Sequence, residues 1–428
     1  MSFRSWALTM LLSSACVTAL SSAAYADAPV ILAPAYADTA IENLPVMARP
    51  RPEYDAKGIP LGSFRLFPDL NVTGAYDDNI FRTQTNKIDD FVFDIAPAFR
   101  IRSDWNQHML EAYAGLNNYE YASNSSENLT DWNAGADGRY DITGGSSVYA
   151  NGQASQLHEA RSSPNATGFQ AAPNRYFQYH GETDATYQPN RFGLTAGAQV
   201  DSFIYQNTPI TGGGYLNNKD RNYSEYQGYG KASYDFSPGY TGFLRASYDT
   251  RQFVQPLDRT GVHRSSNGYK VDGGVDLQLS HLISGEVYLG YLNQDFSAPL
   301  KSVSGLDYAV RLDWLATPLM TVHLQGSRIL TQVIIAGASV SDDKSIGLSA
   351  DYEILRNLIA QAHVNYVDSS YIGIARHDDA PDLGMGLKYM INRYASVDLA
   401  YDYTERLTNV TGIKYKDNYV SLGLNLHL

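Results

Sequence analysis

The sequence predicts an all-β protein: a transmembrane, antiparallel up-and-down β-barrel of about eighteen strands, with sixteen as the alternative count, behind an extended N-terminal tail. Three observations predict it. From Phe64 to the last residue the chain runs in segments of about ten residues in which apolar and polar side chains alternate with period two. Tight turns and longer polar loops alternate between those segments. The only long apolar run lies at the N-terminus and is too short and wrongly flanked for a membrane-spanning helix.

The last segment is the clearest. Val420, Leu422, Leu424, Leu426 and Leu428 fall on one face, and Ser421, Gly423, Asn425 and His427 on the other. Upstream, Val397, Leu399 and Tyr401 oppose Ser396, Asp398 and Asp402, and Tyr269, Val271 and Val275 oppose Lys270, Asp272 and Asp276. Strands are expected to begin near residues 64, 91, 108, 131, 146, 175, 192, 223, 240, 267, 285, 305, 320, 344, 358, 382, 394 and 417. Nine long connections and eight short ones join them. A soluble sandwich has no reason to alternate its loop lengths. A bacterial outer-membrane barrel has one, because its periplasmic turns are short and its external loops long. Tyr76, Trp132, Tyr140, Tyr187, Phe192, Tyr234, Phe236, Trp314, Tyr352, Tyr366 and Tyr389 recur near strand ends. They are expected to form the aromatic girdles at the two membrane interfaces, with sugar stacking inside a pore as the alternative.

The N-terminus reads as a cleaved signal peptide over residues 1–26. Arg4 supplies the positive charge, residues 6–20 the apolar core and Ala24-Tyr25-Ala26 the small-x-small cleavage pattern. Lipid attachment at Cys16 is the rival reading. Residues 27–62, rich in alanine and proline, form an extended periplasmic tail, and residues 63–428 the barrel. Cys16 is the only cysteine among the 428 residues, so the mature chain offers no disulfide and no thiolate ligand. The formal charge is −13, and losing Arg4 makes it −14, which speaks against nucleic acid as a partner.

The series Arg49-Pro50-Arg51-Pro52-Glu53-Tyr54-Asp55, Gly58-Ile59-Pro60-Leu61-Gly62-Ser63-Phe64 and Tyr76-Asp77-Asp78-Asn79-Ile80-Phe81, followed by Pro97 and Asp104-Trp105, resembles the putative β-barrel porin 2 family. The resemblance extends over residues 49–428 and is most specific in the first hundred. It implies a proteobacterial outer-membrane barrel whose relatives often look like components of exopolysaccharide or capsule export. It brings no catalytic residues.

Chemistry-bearing clusters are few. Asp77-Asp78-Asn79 carries hard-cation ligands but lacks the spacing and glycine of a calcium loop, and a hydrated strand cap is expected instead. The nine histidines show neither a His-x-x-x-His pair nor a zincin arrangement; His323 and His363 fall on polar strand faces and are expected simply to line the lumen. No metal, cofactor or catalytic residue is therefore assigned, and no enzymatic activity. The expected function is an outer-membrane pore for exopolysaccharide export or passage of other hydrophilic solutes. A general diffusion porin, a structural barrel with a plugged lumen and a barrel enzyme stay open as alternatives. Expected pore-lining residues are Arg139, Lys231, Arg245, Lys270, Asp272, Asp276, Arg311, Asp313, Lys388, Asp398 and Asp402. The full inward set holds sixteen acids and nine bases. Expected partners are outer-membrane lipid, the barrel assembly machinery, periplasmic polysaccharide-export proteins and the hydrophilic solute or glycan.

Overall fold

A computed structural model describes residues 44–142, 145–166, 168, 170–279 and 282–428. The signal peptide, its cleavage site and residues 27–43 of the expected tail lie outside the described residues.

Eighteen antiparallel strands form a closed ring. In chain order they are β1 (Phe64–Asp77), β2 (Asp90–Ser103), β3 (Met109–Tyr121), β4 (Leu129–Asp141), β5 (Ser147–His158), β6 (Arg175–Tyr187), β7 (Phe192–Tyr205), β8 (Tyr223–Ser237) and β9 (Tyr240–Phe253). There follow β10 (Ser266–Leu279), β11 (Ile283–Phe296), β12 (Val303–Thr317), β13 (Met320–Gln332), β14 (Val340–Leu355), β15 (Leu358–Tyr371), β16 (His377–Asn392), β17 (Ala395–Thr408) and β18 (Tyr415–His427). Each strand pairs with its sequence neighbours. The ring closes through β1 on β18, from Asp69 opposite His427 to Asp77 opposite Tyr419. A short strand, Ile59–Leu61, pairs back on the start of β1, and a two-residue pair (Thr208–Pro209 with Tyr215–Leu216) decorates the β7–β8 loop.

Closure follows from the solvent. An unpaired N–H or C=O facing lipid costs several kcal/mol, so a strand that crosses a bilayer must have a neighbour on both sides. Two of the breaks in the ladders fall at prolines, which have no N–H to give: the β2–β3 pairing skips Ala96 and Pro97, and the β16–β17 pairing skips Ala380 and Pro381.

The two faces of the wall separate as the alternation requires. Leu244, Val271, Leu289, Leu348, Leu399 and Leu422 are exposed on the outside, while Lys231, Asp249, Asp272, Asp351 and Asn425 on the opposite face are buried. All eleven aromatics expected at strand ends lie exposed on the outer face. A one-residue slip would invert every one of these positions. Leu399→Arg, which would place a cation against lipid, should therefore cost about 2–4 kcal/mol. Asp398→Asn, on the inner face, should shift urea unfolding far less; equal shifts would show that the faces are misassigned.

Candidate channel lumen

Inward side chains of neighbouring strands stand about 5 Å apart, close enough for charges of opposite sign to pair laterally. On β8 to β11 they do. Lys231 Nζ lies 3.1 Å from Asp276 and 3.6 Å from Glu286, while Arg245 reaches Asp272 at 3.1 Å and Glu286 at 3.6 Å. Four strands are thus cross-linked by one charged network. Lys270 and Arg311 share the inner face with it, Arg311 opposite Glu286 and Gln325 in register. Further round, Lys388 stands opposite Asp398, and Arg139 pairs with Asp141 at 2.9 Å.

Three histidines of the wall each bridge two carboxylates. His323 bonds Asp313 at 2.6 Å and Asp351 at 3.0 Å; His363 meets Asp382 at 2.9 Å and Asp402 at 3.7 Å; His180 meets Asp201 at 2.9 Å and Glu182 at 3.8 Å. The expected lining residues thus all fall on the inner parity. The structure joins Lys231, Arg245, Asp272 and Asp276 in one network, and attaches Asp313 and Asp402 to histidines that sequence reasoning had left as bystanders. The alternation showed that these histidines face inward; their pairing with acids on adjacent strands depends on register between strands and could not be read from it.

The mouth at the long-loop end is covered. The β5–β6 loop reaches the opposite side of the barrel: Arg406 of β17 donates to the carbonyl of Ser162, and the Ile334 N–H, in the β13–β14 loop, donates to Asn165 at 2.9 Å. Glu159, at the root of that loop, forms a buried two-pronged ion pair with Arg221 of the β7–β8 loop, and Arg161 pairs with Glu127. Beneath lies a row of inward aromatics, Phe203, Tyr223 and Phe253, with ring centroids 4.7 and 5.1 Å apart. Tyr176 and Tyr205 extend the row, and the Arg221 guanidinium sits 3.9 Å above the Tyr205 ring. The inner face is therefore charged and polar at mid-barrel and aromatic at this end. These rings share the alternation of any inward residue, and only the folded loops, which local pattern does not encode, bury them.

At the short-turn end, residues 44–55 lie against the inner wall. Val46 is fully buried on Ile359 and Met390, and its N–H donates to Thr321 at 2.9 Å. Arg51 pairs with Glu353 at 2.9 Å and caps the Arg356 carbonyl, while Arg49 donates to Pro318.

The acids expected to cap the first loop do so with protein partners. Arg82 bridges Asp77 and Asp417 at 3.0 and 2.9 Å, so a guanidinium occupies the position a metal would take. Asp368, His377 and Asp379 form a second acidic group at the outer rim, with Tyr366 and Lys344 already on its carboxylates.

The match to known sequences runs over residues 51–428, to the family described as putative beta-barrel porin 2. The chain belongs to that family. No curated protein sequence matches it. Among solved structures it is similar to Pseudomonas aeruginosa OpdL (14% identity, 86% of this chain and 99% of that one, TM-score 0.44). It is similar too to P. aeruginosa OpdK crystallised with vanillate (10%, 85% and 99%, 0.45), and to a mutant of the P. aeruginosa ferric enterobactin receptor PfeA (9%, 87% and 81%, 0.46). The chain is a porin-like barrel.

One clamp at the covered mouth titrates. Burial pushes the Asp258 carboxyl up, but hydrogen bonds from Thr260, the Val262 N–H and Arg264 outweigh it and hold the group down at about 2. The folded value lies below the ordinary ~3.9, so its contribution is complete above about pH 4 and is lost as pH falls through about 2. A spin label at Leu257, which is exposed, should stay ordered at pH 4 and loosen near pH 2. Asp258→Asn should loosen it at neutral pH.

Proposed function

We propose that the protein is a passive outer-membrane pore for hydrophilic solute, and that export of an exopolysaccharide is the specific task. The observation that carries the pore reading is the inner wall itself: paired charges and amides, from Lys231 and Arg245 round to His363 and Asp402, form a surface that only water or a polar solute can wet. A polyhydroxylated chain supplies donors and acceptors at every unit and suits such a wall. The family resemblance supports the export reading. Driving force would come from polymerisation or from periplasmic partners. No catalytic role is assigned to any residue.

A second reading, a structural barrel with a closed lumen, is favoured by the loops folded across the long-loop mouth. Conductance in a planar bilayer separates the two. Inward acids outnumber inward bases, so their field in a channel with low-dielectric walls favours mobile cations. The pore should be mildly cation-selective under a KCl gradient and lose selectivity near 1 M salt, where the Debye length is ~3 Å. Neutral oligosaccharides should block the current at lower concentration than densely anionic ones. Firm anion selectivity would overturn the lumen assignment; zero current from correctly folded protein would favour the structural barrel.

A further inference from the structure

The wall is split between β12 and β13. Their ladder runs from Thr317 opposite Met320 only as far as Ala309 opposite Ser327. Beyond it Val303–Tyr308 pair only with β11, and Arg328–Gln332 pair only with β14. Five to six residues on each flank therefore turn an open edge to one another, in a fold whose reason for closing is that such edges are costly.

Side-chain parity shows where the missing half has gone. Register places Leu292 and Val303 on the inner face of the wall, with Glu286 and Arg311, whereas Leu330 and Val340 belong to the outer face. Yet these four form one cluster, each at most 9% exposed. Inner-face residues of one flank can touch outer-face residues of the other only if the β13–β14 tip has swung to the lumen side of β11 and β12. Contacts of three side chains agree. Gln332 accepts from Arg251 of β9, which lies four strands away round the ring, at 3.3 Å. Arg264 donates to the carbonyls of Val333 and Ala338 at 2.9 and 3.0 Å, and Asn165 takes the Ile334 N–H.

The split is bolted by Arg328. Its guanidinium holds both oxygens of Asp342, at 2.7 and 3.0 Å, and donates across the opening to the Leu306 carbonyl at 2.6 Å. Gly305 makes room: its φ is +143°, and a Cβ there would sit 3.1 Å from Arg328 Nη1.

The vacated edge still fits the strand that left it. Carried past Ala309 and Ser327, the same register sets Tyr308 opposite Arg328, Leu306 opposite Leu330 and Val303 opposite Val333. Every pair then shares a face, and Leu306, now 53% exposed on the outside, gains an apolar neighbour. Two arrangements of one sequence thus each satisfy the pattern: tip folded in over the lumen, or ladder zipped to the rim.

We propose that the β13–β14 tip, residues 328–340, is a gate that plugs the long-loop mouth when folded inward and opens it by zipping into the wall against residues 303–308 of β12. The inference rests on the pore reading and adds how that pore is closed. Arg328 is the bolt of the closed state, and Arg264 with Asn165 is its catch. A solute or partner that competes for the Arg264 and Asn165 contacts would open it.

The natural chain has a single cysteine, at position 16, so engineered pairs can be read cleanly once it is replaced by serine. Val303→Cys with Val333→Cys would be directly opposed in the zipped wall, at a separation a disulfide tolerates, and belong to different clusters in the folded-in form. Asn165→Cys with Ile334→Cys would fix the tip inside. In purified protein reconstituted in planar bilayers, the oxidised 303–333 pair should conduct several-fold more than the parent. The oxidised 165–334 pair should conduct less, and dithiothreitol should reverse both changes. Bond formation is scored by gel shift, and heat-modifiable migration confirms a folded barrel. Failure of a folded 303–333 pair to oxidise overturns the gate, because the edges then never meet. Equal, measurable conductance in both oxidised pairs and the parent also overturns it, while leaving the pore intact. Absence of current in every form, with the 303–333 bond made, overturns the pore reading instead.

Discussion

Everything in this structure depends on the need of each backbone N–H and C=O to find a partner away from water. In a bilayer that need admits a ring and excludes a sheet with edges. The ring fixes how the chain must be written. Side chains alternate between lipid and lumen, so each strand spends half its residues on apolar cover and half on the interior. Prolines can enter only where a ladder bond is given up, as at Pro97 and Pro381.

The interior then faces its own constraint. Charges on a wall backed by lipid are poorly screened, and an isolated one is expensive. Neighbouring strands bring opposite charges within reach, and the lumen is accordingly built of shared pairs: Glu286 serves both Lys231 and Arg245, and each of His180, His323 and His363 serves two acids. Such sharing stiffens the wall laterally. It also leaves the inner face a continuous polar surface.

The ring was legible because its signal is local. Period-two alternation and turn residues set out eighteen strands, most starting within two residues of where the structure has them. The largest departures are instructive. β14 begins at Val340 where 344 was expected, and β16 at His377 where 382 was expected. Ser341, Asp342 and Asp343, like Asp378 and Asp379, read as polar loop; they are strand residues that rise beyond the apolar belt, where both faces are polar and the alternation disappears. Which side chains share the inner face was legible by parity. Their partners were not, since pairing depends on inter-strand register, and neither was the covered mouth, since Arg406 and Ser162, or Asn165 and Ile334, are more than a hundred residues apart.

The last strand bears a burden of timing. β18 carries the cleanest alternation in the chain, and the ring closes on it, down to the Leu428 N–H on Pro68 and the Gly58 N–H on the Leu428 carbonyl. Synthesis runs from β1 to β18, so the edge of Phe64–Asp77 is made first and the strand that covers it last. Until β18 pairs with it, that edge stays open to any neighbour. A chain cut short by its final dozen residues would keep nearly all its pairings and yet be left with two raw edges, fit for aggregation and not for a membrane.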